Sequence, residues 1–120
     1  MNLNHLDLQV PDVRAAVDFF ERYFGLALRS NRASPAIAIM ADEAGFTLVL
    51  QRNEAAVYPE GFHVGFFVDD EALVRERHAQ LLADGVGQLS DVIVNNRGVM
   101  FYCTAPFGVA IEVSRPRARG

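Results

Sequence analysis

The sequence predicts an α+β domain built from two copies of a strand–helix–strand–strand–strand module. Residues 4–25 resemble residues 62–85, and a shift of 58 positions aligns their first parts; the second helix is longer by two residues. The shift superposes three identical pairs: His5 with His63, Val10 with Val68, and Asp12 with Asp70. Each aligned segment is followed by three short strand-like runs separated by turn-forming residues. Internal repetition of this kind indicates one supersecondary unit used twice.

The first element of each copy is predicted to be a strand, because apolar and polar residues alternate. The apolar rows are Leu6, Leu8 and Val10 in the first copy and Val64, Phe66 and Val68 in the second. His5 and His63 have the opposite parity. Each histidine is therefore expected to face away from the apolar row of its strand.

A helix follows in each copy. Asp12 and Asp70 are suitable N-cap residues, since a carboxylate accepts from free amides of the first turn. Gly25 and Gly85 suit the left-handed conformation that closes a helix. The apolar stripes at helical spacing are Val13, Ala16, Val17, Phe20 and Phe24 in the first helix, and, less regularly, Leu73, Val74, Leu81 and Leu82 in the second.

The remaining strands are predicted at residues 26–32, 36–41 and 46–51 in the first copy and 88–94, 99–104 and 109–114 in the second. Clusters rich in Pro, Gly, Asn and Asp separate them. The predicted organisation is a single domain with module one at 1–52, a linker at 53–60, module two at 61–114 and a solvated basic tail at 115–120.

Composition excludes several classes of function. The chain has 120 residues, 51% of them hydrophobic and 22% charged, as expected for a globular domain. A net charge of −4 without a basic stripe argues against nucleic acid as a partner. A single cysteine forbids an internal disulfide, and no apolar run approaches the roughly 20 residues that span a bilayer. We expect a soluble, cytoplasmic protein without membrane contact.

Two segments resemble a known family. The opening LNHLDLQVPDVRAAVDFFERYFGL is similar to the first strand and helix of the vicinal oxygen chelate superfamily, also called the glyoxalase/bleomycin-resistance/dioxygenase group. The closing MFYCTAPFGVAIEV is similar to its last two strands, except that the usual Asp-Pro-x-Gly turn here begins with Ala105. The resemblance implies the glyoxalase-like fold, in which two βαβββ modules form curved mixed sheets around a cavity.

The resemblance also implies a metal site. Carried over by position, the ligands are His5, His63 and Glu112, and the metal is a divalent ion such as Fe, Mn, Ni or Zn. Strand parity agrees, because Glu112 faces away from the apolar row of the last strand. Two imidazoles and one carboxylate leave coordination positions open for substrate. Glu112 and Tyr102 are the predicted catalytic residues.

The reaction stays open at this stage. Val49 occupies the place where glyoxalase I enzymes hold a carboxylate, so their isomerase chemistry is not expected, although Gln51 has the same parity. Asp7 replaces the threonine of fosfomycin-inactivating enzymes, and the chain has no lysine to bind a phosphonate. Lewis-acid stabilisation of an enolate or oxyanion and oxygenation by iron both fit the ligand set.

A small, largely apolar molecule with metal-chelating oxygens fits the predicted cavity. Asp7 either orients an imidazole or faces solvent. Arg97 and Tyr102 either reach the mouth of the cavity, or Arg97 is an ordinary loop residue and Tyr102 a packing residue.

The alternative function is that of a metal-free protein that sequesters an antibiotic. A non-catalytic partner or sensor domain is a weaker alternative. The resemblance implies a homodimer, in which the metal site can be shared between chains. The predicted cavity residues are Asp7, Thr47, Val49, Gln51, Phe67, Arg97, Met100 and Tyr102.

Overall fold

A computed structural model describes residues 1–117 of the chain. The chain divides into two compact units, Met1–Val57 and a second unit that begins at Tyr58. Each unit has the predicted order of one strand, one helix and three strands. The expected α+β class and the two βαβββ modules are therefore confirmed. Of the predicted tail, residues 118–120 lie outside the described part.

The first unit is a four-stranded mixed sheet with one helix. Its elements are β1 (His5–Val10), α1 (Val13–Phe24), β2 (Ala27–Leu28), β3 (Ile37–Ala41) and β4 (Thr47–Arg52). The strand order is β1-β4-β3-β2, with β1 parallel to β4 and the other pairs antiparallel. His5 is opposite Thr47 in this register, and Asp7 is opposite Val49. The helical crossover from β1 makes the parallel pairing with β4 possible.

The second unit repeats this topology. Its elements are β5 (His63–Phe67), α2 (Glu71–Ala83), β6 (Ile93–Asn95), β7 (Gly98–Thr104) and β8 (Ala110–Pro116). The order is β5-β8-β7-β6, and β5 runs parallel to β8. Glu112 on β8 is opposite Gly65 of β5 and Tyr102 of β7. The site residues on three strands therefore become neighbours on one sheet.

The helix ends follow the predicted capping chemistry. The Asp12 carboxylate accepts from the amide of Ala15, and the Asp70 carboxylate accepts from the amide of Ala72. Gly25 closes α1 with φ +67°, and Gly85 follows α2 with φ +70°. These are left-handed conformations that a glycine adopts without strain.

Each core lies between a helix and one face of its sheet. In α1 the buried stripe contains four of the five predicted residues, together with Phe19 and Tyr23. In α2 only Val74 and Leu81 are buried, whereas Leu73 and Leu82 are exposed. The opposite faces of the two sheets carry His5 and His63.

Among the described residues, no helix combines the length and hydropathy needed to cross a bilayer.

Two predicted strands are much shorter than expected. The run at 26–32 pairs only at Ala27–Leu28. Beyond it, the Ser30 hydroxyl accepts from the amide of Ile39 on β3, and the chain turns where the side chains of Asn31 and Ser34 accept from the amides of Ala33 and Ala36. The run at 88–94 pairs only from Ile93. Gln88 has φ +53°, which interrupts an extended backbone. Instead, the Ser90 amide donates to the carbonyl of Tyr102, and the Ser90 hydroxyl accepts from the amide of Tyr102.

Candidate functional site

His63 and Glu112 form the centre of the candidate site in the second unit. They lie on the neighbouring parallel strands β5 and β8, and His63 Nε2 is 3.7 Å from Glu112 Oε1. Gly65, opposite Glu112, has no side chain to fill the space above the carboxylate. A cavity of about 330 Å³ opens there, lined by His63, Gly65, Phe67 and Glu112.

A hydrogen bond fixes the orientation and tautomer of His63. Its Nδ1 is 2.9 Å from the carbonyl oxygen of Gly61. Because a carbonyl only accepts, Nδ1 carries the proton of the neutral ring. Nε2 therefore presents a lone pair on the side of Glu112. This is the usual arrangement of a metal-binding imidazole, whose other nitrogen donates to a carbonyl or carboxylate.

Glu112 is held by Ser114 and lies opposite Tyr102. Its Oε2 accepts a hydrogen bond of 3.1 Å from Ser114 Oγ, two residues along β8. Tyr102 is the residue opposite Glu112 on β7. Hydrogen bonding toward Glu112 raises the pKa of the Tyr102 hydroxyl, and burial and the negative charge of Glu112 raise this pKa further. The nearby Arg97 guanidinium opposes the rise.

Arg97 and Tyr102 meet over the sulfur of Met100. Arg97 Nη2 is 3.8 Å and the Tyr102 hydroxyl oxygen 3.9 Å from Met100 Sδ. Met100 itself is buried. The Tyr102 ring stands edge-on to His63, with 6.1 Å between the ring centres.

The first unit carries the other predicted site residues on one sheet face. His5 and Asp7 are exposed there, and Thr47, Val49 and Gln51 are half-buried beside them. Gln51 Nε2 donates to Asp7 Oδ2 at 2.5 Å. In this structure the Asp7 carboxylate is therefore hydrogen-bonded to the side-chain amide of Gln51.

Two of the three predicted ligands, His63 and Glu112, are brought together. His5 lies on β1 in the first unit. Within residues 1–117, no group of three or more His, Cys, Asp or Glu side chains is placed to hold a metal ion.

The donor chemistry of the pair fits a divalent ion. Metal–nitrogen and metal–oxygen bonds are about 2.0–2.2 Å long, so one ion can contact two donor atoms 3.7 Å apart. The imidazole has its coordinating nitrogen free and its other nitrogen anchored. The carboxylate has Oε2 anchored by Ser114 and Oε1 on the side of His63 Nε2. These features suit His63 and Glu112 to act as two ligands of the same metal.

Sequence reasoning did not single out Ser114, Gly61 or Gly65 as site residues. Strand parity places Ser114 on the face of Glu112, and this parity is a signal that could have identified it. A backbone carbonyl such as that of Gly61 leaves no such signal.

The sequence matches the Glyoxalase/Bleomycin resistance protein/Dioxygenase superfamily over residues 2–113. The match covers nearly the whole chain, and the chain belongs to this superfamily. No curated protein matches the sequence.

Several solved structures share the fold. A possible glyoxalase from Bacillus cereus is 38% identical with a TM-score of 0.81, over 95% of this chain and 98% of that one. A lactoylglutathione lyase from Agrobacterium tumefaciens is 20% identical, with a TM-score of 0.76 and coverage of 95% and 92%. A fosfomycin resistance protein from Listeria monocytogenes is 18% identical, with a TM-score of 0.81 and coverage of 98% and 94%.

Proposed function

We propose that the protein is a divalent-metal-dependent enzyme that acts on a small, largely apolar molecule with neighbouring, metal-chelating oxygens. The observation that carries the proposal is the pairing of His63 and Glu112. Each is anchored through one donor atom, and the other donor atoms, His63 Nε2 and Glu112 Oε1, lie 3.7 Å apart. Membership of the superfamily and the similarity to a possible glyoxalase support an enzyme.

His63, Glu112 and His5 are the proposed ligands. His5 has the same place on β1 that His63 has on β5, at the start of the strand and on its polar face. It would be supplied by the same chain or by the second chain of a homodimer. The metal is Fe, Mn, Ni or Zn, each of which accepts this mixture of imidazole and carboxylate.

The bound ion would supply Lewis-acid stabilisation of an enolate or oxyanion, or, as iron, the redox chemistry of an oxygenation. Tyr102 keeps its proton at neutral pH, since its pKa is raised above an ordinary value that is already high. Its hydroxyl lies beside the site and can turn from Glu112 to donate to a substrate oxygen on which negative charge develops. Glu112, besides ligating the ion, is the carboxylate available to exchange a proton with the substrate.

The character of the cavity indicates its ligand. Phe67 lines it with a side chain that is 77% exposed, so an apolar or aromatic group of the substrate can pack against this ring. Arg97, exposed at the β6–β7 turn, can meet a polar end of the same molecule. The chain has no lysine to bind a phosphonate, which argues against a fosfomycin-type substrate.

Metal titration by calorimetry on apo-protein tests this assignment. Wild type should bind Ni²⁺, Zn²⁺ or Mn²⁺ at one ion per site, and His63→Ala, Glu112→Gln and His5→Ala should each weaken binding by 100-fold or more. His78→Ala is the matched control. The His78 Nε2 is bonded to the carbonyl of Ser90, so this variant should titrate like wild type. If wild type binds no metal, the proposal fails and sequestration of an antibiotic without metal becomes the leading function.

Mixing two inactive chains tests whether a dimer shares the site. In a shared site, His5→Ala and Glu112→Ala subunits, refolded together, should recover up to about a quarter of wild-type metal sites, because half of the dimers are mixed and each retains one intact site. The same variants refolded alone are the controls. No recovery in a confirmed dimer would assign the ligands to a single chain.

A further inference from the structure

Ser114 is the polar residue whose burial most needs an explanation. Among the described residues it is the one buried polar or charged side chain, with 3% of its surface exposed. Burying a hydroxyl is unfavourable unless the group is hydrogen-bonded. Ser114 meets this need by donating to Glu112 Oε2 at 3.1 Å.

The surroundings of Ser114 leave its hydroxyl little freedom. In the β8 register it lies between Phe67 of β5 and Met100 of β7. Its backbone carbonyl also accepts from the amide of Val68, at 2.9 Å. The backbone that carries the hydroxyl is therefore fixed on both sides by neighbouring strands.

The hydrogen bond makes the two oxygens of Glu112 different. Oε2 is bonded to Ser114, while Oε1 is the oxygen near His63 Nε2. A free glutamate side chain rotates widely about its last torsion, so either oxygen could meet a cation. Here one oxygen is occupied and the other is presented beside the imidazole.

We propose that Ser114 is a positioning residue, which holds Glu112 so that the carboxylate binds the metal through Oε1 alone. The inference rests on the proposed function, since it takes Glu112 to be a metal ligand. Ordering the carboxylate before the ion arrives removes part of the entropy cost of coordination. Partners that orient metal ligands typically change metal affinity by about 10–100-fold when they are removed.

Cobalt(II) binding to the full-length apo-protein tests the role. Ser114→Ala should bind Co²⁺ about 10–100-fold more weakly, at unchanged stoichiometry, and its visible absorption spectrum should differ from that of wild type. Ser114→Thr, which keeps the hydroxyl, should restore affinity and spectrum. Ser114→Val has nearly the shape of the threonine variant but no hydroxyl, so it should behave like the alanine variant and replaces it if alanine does not fold.

Thr104→Ala is the matched control. Thr104 is another strand hydroxyl of the same sheet, but it donates to Gln88 rather than to Glu112. The Thr104→Ala variant should lower neither the affinity for Co²⁺ nor the intensity of the visible absorption spectrum.

Three outcomes would be distinguishable. Wild type that binds no Co²⁺ would overturn the proposed function itself. Wild type that binds, together with Ser114→Ala and Ser114→Val of unchanged affinity and spectrum, would overturn only the role of Ser114. A lower free energy of unfolding with unchanged Co²⁺ affinity would show that the buried hydroxyl is merely structural, which also contradicts the inference.

Discussion

Tyr102 and Cys103 are adjacent on β7, but strand alternation directs their side chains to opposite faces of the sheet. The Tyr102 hydroxyl meets the Glu112 carboxylate, which raises its pKa by a hydrogen bond. Cys103 is only 1% exposed, and burial raises the pKa of its thiol to about 11. The same strand thus places one polar group at the site and one thiol in the core.

Burial should make Cys103 unreactive in the folded protein. A thiol with a pKa of about 11, instead of 9.0, has a thiolate fraction about 100-fold smaller at pH 8. Iodoacetamide at pH 8 should therefore label the native chain at least 100-fold more slowly than the chain unfolded in urea. Cys103 is the single cysteine, so mass spectrometry reports on this residue alone. Equal rates in the two states would contradict its burial.

The same pKa makes stability dependent on pH. Folding favours the neutral thiol, so this contribution is fully present below pH 9 and is lost as the pH rises from 9.0 to about 11. Urea unfolding between pH 8 and 11 should show a steeper decline for wild type than for Cys103→Ala. Parallel declines in the two proteins would exclude Cys103 as the cause.

At the scale of elements, the helix starts depend on single carboxylates. Asp12 satisfies a free amide of the first turn of α1. Asp12→Ala should lower the free energy of unfolding by about 1 kcal/mol, whereas Asp12→Asn, which also caps, should cost little. Urea unfolding measures both variants. An alanine variant as stable as wild type would show that the cap contributes nothing.

The β7–β8 pairing depends on Gly98. Its φ is +140°, and a Cβ there would be 2.2 Å from the carbonyl oxygen of Arg115. Gly98→Ala should therefore destabilise the protein by about 3 kcal/mol or more, because backbone strain of about 1–3 kcal/mol adds to the clash. Since Gly98 follows Arg97 directly, the variant should also displace that arginine.

Gly87→Ala is the control for this substitution. A Cβ at Gly87 meets no atom within 4 Å. The variant should leave the free energy of unfolding unchanged or raise it by up to about 1 kcal/mol through the unfolded state. Similar losses for the two glycine variants would contradict the close approach at Gly98.

For the whole molecule, the repeat in the sequence was the decisive predictor of the fold. It located both helices, their caps and the strand before each helix, because these depend on local periodicity and capping chemistry. The lengths of β2 and β6 were predicted wrongly. The predicted strands at residues 26–32 and 88–94 are cut short, where the Ser30 hydroxyl accepts from the amide of Ile39 and where Gln88 is left-handed. These competing effects are not visible in periodicity.

The site was predictable only in part. Parity placed His63 and Glu112 on the polar face of their sheet, and the register makes them close neighbours. The anchoring of His63 by the Gly61 carbonyl and of Glu112 by Ser114 depends on rotamers and distances, which no residue pattern encodes. The part of His5 in the metal site stays a prediction.

The metal content of the purified protein is the most direct test of the central claim, that His63 and Glu112 hold a catalytic divalent ion. Wild type and His63→Ala, both prepared without chelators or metal-affinity resin, are compared by mass spectrometry of the metals per chain. The account predicts close to one ion per site in wild type and a near-complete loss in His63→Ala. A wild type that stays empty after metal supplementation, or a variant with an equal metal content, would contradict it.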